Sequence, residues 1–185
     1  MLRADRVVLL DVDPWSRKGR SHRAMIKESE WINIPIQTED KKKPIREVRI
    51  DHSSDWFTPF WNGIYHNNHN RKYFDYFEDE LIALFEEVRS KDYLIDFNLT
   101  VFRRILKYLE LELSFELASE TDFDLKEYSV IYVEHQSKNY FRHIPLPDKI
   151  DHNVPSLPKN FELSLMTLLF NEGPESYSIV DSLLK

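Results

Sequence analysis

Residues 9–27 hold the groups best suited to chemistry. The apolar run Val7-Val8-Leu9-Leu10 ends in Asp11 and Asp13, with Trp15 close behind. From Ser16 to Lys27 the chain then carries Arg17, Lys18, Arg20, Arg23 and Lys27 with no acid among them. In a chain of formal net charge −7 this is a local reversal of sign. Cations gathered where a strand ends are one way a protein receives an anionic ligand such as a phosphate. A carboxylate in that position, Asp11 above all, would be held ionised by Arg17, Lys18 and Arg23. It could then accept a proton from a hydroxyl or an amine, or orient a substrate amine. Two plainer arrangements fit the same residues. The basic tract can be a solvated loop, and Asp11 can do no more than pair with Arg17 or Arg23 to fix it.

Other chemistries find less support. Of the seven histidines, His66 and His69 lie three apart in an Asn-rich connection, and His135, His143 and His152 stand singly. Nothing matches HExxH or a facial triad, so these read as solvated or structural side chains, and no metal or other cofactor is expected. With three glycines the chain has neither GxGxxG nor a Walker A loop, and no GxSxG elbow is present. The absence of cysteine removes disulfides, thiolate metal sites and a cysteine nucleophile, and fits a reducing compartment. Overall acidity speaks against general nucleic-acid binding. No apolar run is long enough to span a membrane and no signal-peptide pattern opens the chain, so a cytoplasmic location without membrane insertion is expected.

The elements that must position these groups follow from periodicity. At 185 residues, 42% hydrophobic and 31% charged, the chain reads as a single domain over 1–185. Residues 6–13 read as a buried strand. In 31–36, Ile32, Ile34 and Ile36 share one face, with Pro35 placing the strand at an edge. Residues 45–51 alternate, Val48 and Ile50 inward. These three strands are expected to share one sheet. The period then becomes helical over 54–65, with Thr58-Pro59 suited to a helix start, and again over 74–88 and 94–109. Trp56, Phe60 and Trp61 could be core or could floor a pocket by stacking. Two further strands are expected at 113–117 and 129–133, then an irregular crossing at about 141–158. A helix over 161–170 is stopped by Gly173-Pro174, and a short turn or helix occupies 177–184. The expected class is α+β: a small mixed sheet covered by three or more amphipathic helices.

The order of these features resembles the WbqC-like protein family. The resemblance rests on Leu10-Asp11, Trp15, Arg17-Lys18, Arg23 and Ile26, then on residues 31–36 and 45–50, Trp56, Tyr73-Phe74, residues 94–98, Ser119-Glu120 and residues 163–174. Family members usually open with a further strand and a Gln-Pro-x-Tyr-Leu-Pro-Trp-like segment ahead of the point where this sequence starts, and Gly19, Arg20 and His22 stand where Ser, Trp and Asn are common. The resemblance implies surface-polysaccharide or O-antigen biosynthesis. The reaction it implies is transfer of an acyl or aminoacyl group to the amine of a nucleotide-linked amino sugar. On that reading Asp11 and His22 would be catalytic, taking the amine proton. Arg17, Lys18 and Arg23 would hold the diphosphate, and Trp15 would stack on a ring. The alternative is a non-catalytic protein that holds an anionic glycan precursor or a partner enzyme.

Overall fold

Among the described residues, two short strand pairs and five α-helices form, and most of them lie in the stretches that periodicity singles out. The computed structural model describes residues 7–19, 21–27, 30–122 and 165–182. In chain order the elements are β1 (Val8–Leu9), β2 (Arg23–Lys27), β3 (Glu30–Asn33), α1 (Phe57–Asn68), α2 (Phe74–Val88), α3 (Leu94–Tyr108), β4 (Glu116–Leu117), α4 (Leu165–Glu172) and α5 (Glu175–Ser182). The class is α+β, as expected. The expected strand at 129–133 and the crossing at 141–158 lie outside the described residues.

The helices form because their apolar residues recur at three- and four-residue steps. Phe74, Phe77, Leu81, Leu84, Phe85 and Val88 are the buried side of α2. Against them pack Phe60 and Ile64 of α1, Leu94 and Phe97 of α3, and Leu169 and Phe170 of α4. Aromatic rings meet edge to face through this core: Phe60 with Phe85 at 5.5 Å and Phe74 with Phe170 at 5.1 Å between centroids. Trp56 and Phe60 belong to it, and Trp61 packs against Phe85, so these three are core and not a pocket floor. α1 starts at Phe57, one residue ahead of the expected Thr58 cap. The capping acceptor is Asp55, whose carboxylate takes the Thr58 N–H at 3.1 Å.

The sheet expectation needs correcting. The described strands make two separate pairs: β1 with β4, parallel, and β2 with β3, antiparallel with a bulge between Met25 and Lys27. No described sheet holds both residues 7–10 and 48–50. Residues 45–47 form a 3-10 turn after Pro44, and 48–50 run extended with only isolated bridges, Ile36 to Ile50 and Arg49 to Tyr93. Pro35 and Pro44 lack the N–H that a continuing ladder needs, so the ribbon is interrupted on this side. The predicted faces are nevertheless right: Val48 and Ile50 are buried and Arg49 is turned outward. β2 was hidden within the basic tract, where charge obscures the short apolar run Ala24-Met25-Ile26.

One charged residue organises this ribbon. Asp40 accepts the Arg49 backbone N–H and Nε, each at 2.9 Å, the Arg49 Nη2 at 3.0 Å and the Lys43 Nζ at 2.5 Å. Its two cations cover it completely although it sits near the surface, and the Arg49 hydrogen bonds hold its carboxyl well below the usual carboxylate range.

Candidate functional site

The segment joining β1 to β2 carries five of the six residues singled out by sequence, Arg23 opens β2 itself, and residues 43–46 are the backing of the segment. Trp15 N–H donates to Lys43 O at 2.8 Å, Ile45 N–H to Asp13 O at 2.9 Å and Arg46 N–H to Asp11 O at 3.0 Å. At its far end, Asn98 of α3 donates to Ser21 O at 2.7 Å, and Ile34 N–H to His22 O at 2.8 Å. The loop is therefore fixed at one end by the backbone of residues 43–46 and at the other by the Asn98 side chain and the Ile34 N–H.

Asp11 closes the end of β1. Its side chain is 2% exposed and accepts two hydrogen bonds from one residue, the Ser119 N–H at 3.0 Å and the Ser119 hydroxyl at 2.5 Å. The preceding ladder bonds run from Glu116 N–H to Val7 O and from Ala118 N–H to Leu9 O, both at 3.0 Å. The carboxylate thus extends the β1–β4 ladder past its last backbone carbonyl. No ion pair joins Asp11 to Arg17, Lys18 or Arg23 among the described residues. The partner is a serine 108 positions away, which charge patterning had no means of naming. Replacing Asp11 by alanine is expected to cost about 2 kcal/mol, and Ser119 by alanine about 1 kcal/mol. Urea denaturation of both single variants and the double variant should give a coupling energy of about 1 kcal/mol; strict additivity would show that the pair contributes nothing.

The cations divide into two kinds. Arg17 and Lys18 are exposed, and neither makes an ion pair among the described residues. Arg23 folds back on its own loop: Nε donates to Gly19 O at 2.9 Å, Nη2 to Lys18 O at 2.7 Å, and the guanidinium lies 4.4 Å from the Trp31 ring centroid. It serves as the clasp of the turn. Arg20 lies outside the described residues.

Trp15 and His22 face inward together. They are 6% and 8% exposed, and their rings meet edge to face at 4.9 Å. Burial, helped by the positive charge of Arg23, pulls the His22 imidazole down from 6.5 to about 4, so it is neutral at physiological pH. Three buried polar atoms in this short stretch have no hydrogen-bond partner among the described residues: Trp15 Nε1, Ser21 Oγ and His22 Nδ1. Leaving one such group unmade typically costs about 1–3 kcal/mol. The structure thus brings Trp15 against His22, keeps Arg23 on the loop backbone, leaves Arg17 and Lys18 outside, and gives Asp11 to Ser119.

Elsewhere, a cleft of about 410 Å³ lies between Gln37, Asp51, His52, Asp92 and Tyr93. Its histidine is already satisfied, Nε2 lying 3.0 Å from Lys91 O and Nδ1 accepting from Trp56 Nε1 at 3.3 Å. Among the described residues no group of three or more His, Asp or Glu could hold a metal ion. His135, His143 and His152 lie outside them. No helix of the described residues is long and apolar enough to cross a membrane.

The model of the WbqC-like protein family matches residues 1–143. This chain belongs to that family. The WbqC-like match takes in β1 to β4 and the whole loop with its backing, including both Asp11 and Ser119; α4 and α5 lie beyond it. No curated protein and no solved structure matches the chain. Membership of the WbqC-like family suggests a role related to polysaccharide or O-antigen biosynthesis, and it names neither a substrate nor a reaction.

Two residues important to this WbqC-like site carry little local signal in the sequence. Ser21 has no visible distinction beyond its place before His22. Ser119 stood in a Ser-Glu pair that pointed to the family but not to Asp11.

Proposed function

We propose that this WbqC-like protein is a cytoplasmic transferase that acylates or aminoacylates the amine of a nucleotide-linked amino sugar held at the 15–23 loop. The observation that carries this reading is the pairing of two exposed cations without ion pairs among the described residues, Arg17 and Lys18, with a neutral imidazole a few residues further along the same loop. Arg17 and Lys18 receive the diphosphate, and Arg23 sets the turn that presents them. The sugar amine attacks the carbonyl carbon of an activated acyl donor, the carbon–nitrogen bond forms, and the bond to the leaving group breaks. His22 takes the proton released from nitrogen and returns it to the leaving group. Neutral at physiological pH, the imidazole is in the form that can accept this proton. Asp11 positions the strand end from which the loop departs, and Trp15 holds the imidazole ring by its edge contact.

A second reading, a non-catalytic holder of an anionic glycan precursor, is favoured by one observation: Asp11 is buried and committed to Ser119. Incubation with nucleotide-linked amino sugars and thioester or aminoacyl donors, followed by mass spectrometry of the sugar, separates the two. Transfer gives the mass of one acyl group on the sugar, and Arg17→Glu should lower turnover about tenfold or more at subsaturating sugar, through repulsion of the diphosphate. Tight binding of the sugar without any mass change would leave only the holder.

A further inference from the structure

We propose that Trp15, Ser21 and His22 form the inner wall of an oxyanion site that is reached when the 16–19 turn lifts, so that the site accepts a diphosphate on two levels. The inference rests on the reading of the loop as an anion site and adds the residues that bind most deeply and the clasp that covers them.

An indole N–H is a donor only, a serine hydroxyl can donate, and an imidazole Nδ1 donates in one of its neutral tautomers. All three of these atoms are buried and unpartnered, and all lie within eight consecutive residues. Native proteins pair more than nine in ten buried polar groups, so three orphans in one loop call for a reason. Trp15 and His22 are both more than nine-tenths buried and their rings touch, so the stored polarity is concentrated in one place. Outside the same turn stand Arg17 and Lys18, without ion pairs among the described residues.

The 16–19 turn, closed by Gly19 N–H to Ser16 O at 2.9 Å, is held by Arg23. Its hydrogen bonds go to two neutral carbonyl oxygens, those of Lys18 and Gly19, while its plane rests on Trp31. A guanidinium binds phosphate oxygens more strongly than neutral carbonyls and in a bidentate manner. A diphosphate arriving at Arg17 and Lys18 can therefore take Arg23 from the carbonyls, release the 16–19 turn, and place oxygens against the indole, hydroxyl and imidazole donors. The anchors at Trp15 N–H to Lys43 O and Asn98 to Ser21 O remain in place, so the inner wall stays put while the turn moves.

The test uses inorganic pyrophosphate and a uridine diphosphate as probes, with binding to the full chain measured by calorimetry. Trp15→Phe and Ser21→Ala each delete one unpartnered polar atom and keep most of the packing. Both should melt no lower than the parent by more than a few degrees, yet bind pyrophosphate about tenfold more weakly, the usual loss for a hydrogen bond to a charged group. Should both variants bind like the parent while Arg17→Glu binds weakly, the inner wall is wrong and the surface anion reading stands. Should the parent bind neither probe, both fall. Tighter binding of the uridine diphosphate than of pyrophosphate assigns the anion to a nucleotide; equal binding assigns it to the diphosphate group alone, and either agrees with the inner wall. A measurement on the unaltered protein guards against variants that fail to fold: the Trp15 indole ¹⁵N–H resonance should shift on saturation with pyrophosphate, and an unmoved resonance at saturation overturns the proposal.

Discussion

Between pH 6.5 and pH 4 the protein is expected to lose about 3 kcal/mol of stability through His22 alone. The sign follows from where the proton goes. In the unfolded chain the imidazole binds a proton near its ordinary value of 6.5, whereas the buried ring resists it until about pH 4. Through that window the unfolded state binds more protons, so stability is complete above 6.5 and declines as pH falls towards 4. Denaturant midpoints taken at half-unit steps should show this slope in the parent and a much flatter one in His22→Phe, which keeps a ring against Trp15. A parent whose stability is level from pH 6.5 to 4.5 would mean that the ring takes up its proton without difficulty and is not held neutral. Asp40 acts in a lower window. Its carboxyl is held down chiefly by hydrogen bonds from Arg49, so its contribution is intact above about pH 4 and is lost only as pH drops further.

Gly173→Ala is expected to destabilise by about 3 kcal/mol, combining a strained backbone with overpacking. Gly173 turns the chain from α4 into α5 with φ +54°, the left-handed region that side chains resist. An added Cβ would also lie 2.6 Å from Cγ and Cδ1 of Tyr73. That ring cannot easily retreat, because Tyr73 N–H is bonded to Phe170 O at 2.9 Å and Tyr73 packs on the core. A fall of roughly 6–12 °C in melting temperature is the expected size for a chain of this length. An unchanged melting temperature would show that Tyr73 has room to move and that the turn does not depend on glycine.

What the sequence made readable was governed by local rules. The stripe of α2, the stop at Gly173-Pro174 and the inward faces of Val48 and Ile50 follow from period and turn chemistry, and each appears in the structure. On α3 the helix lies where the period places it, but its buried residues are Leu94, Phe97 and Leu106, not the expected stripe through Ile95, Leu99 and Phe102. Pairing did not follow, because which strand lies beside which is set by contacts far along the chain. Val48 to Ile50 alternate correctly yet sit between isolated bridges, with prolines at positions 35 and 44 limiting the ladder. At the loop, charge drew attention to Arg17, Lys18 and Arg23 as one group. Folding separates them: Arg23 finds loop carbonyls within reach, at Gly19 and Lys18, and the other two stay exposed without ion pairs among the described residues. The inward turn of Trp15 and His22 had no local signal, since an aromatic between charged residues can equally be exposed.

The bond between Asp11 and Ser119 also has a cost in chain entropy. Closing a loop of 108 residues takes about 2 kcal/mol more than closing one of ten, by the logarithmic dependence on length. Against this stand two short strands of two residues each. The hairpin of β2 and β3 has no such burden, because its strands are neighbours in the chain. The β1–β4 pair is thus a long-range contact made by few residues, one that can open locally without global unfolding. When it opens, the Asp11 carboxylate returns to water while the helices remain packed. The burial of that carboxylate is thus a property of a small, separable part of the fold, and it persists only as long as a distant serine is in place.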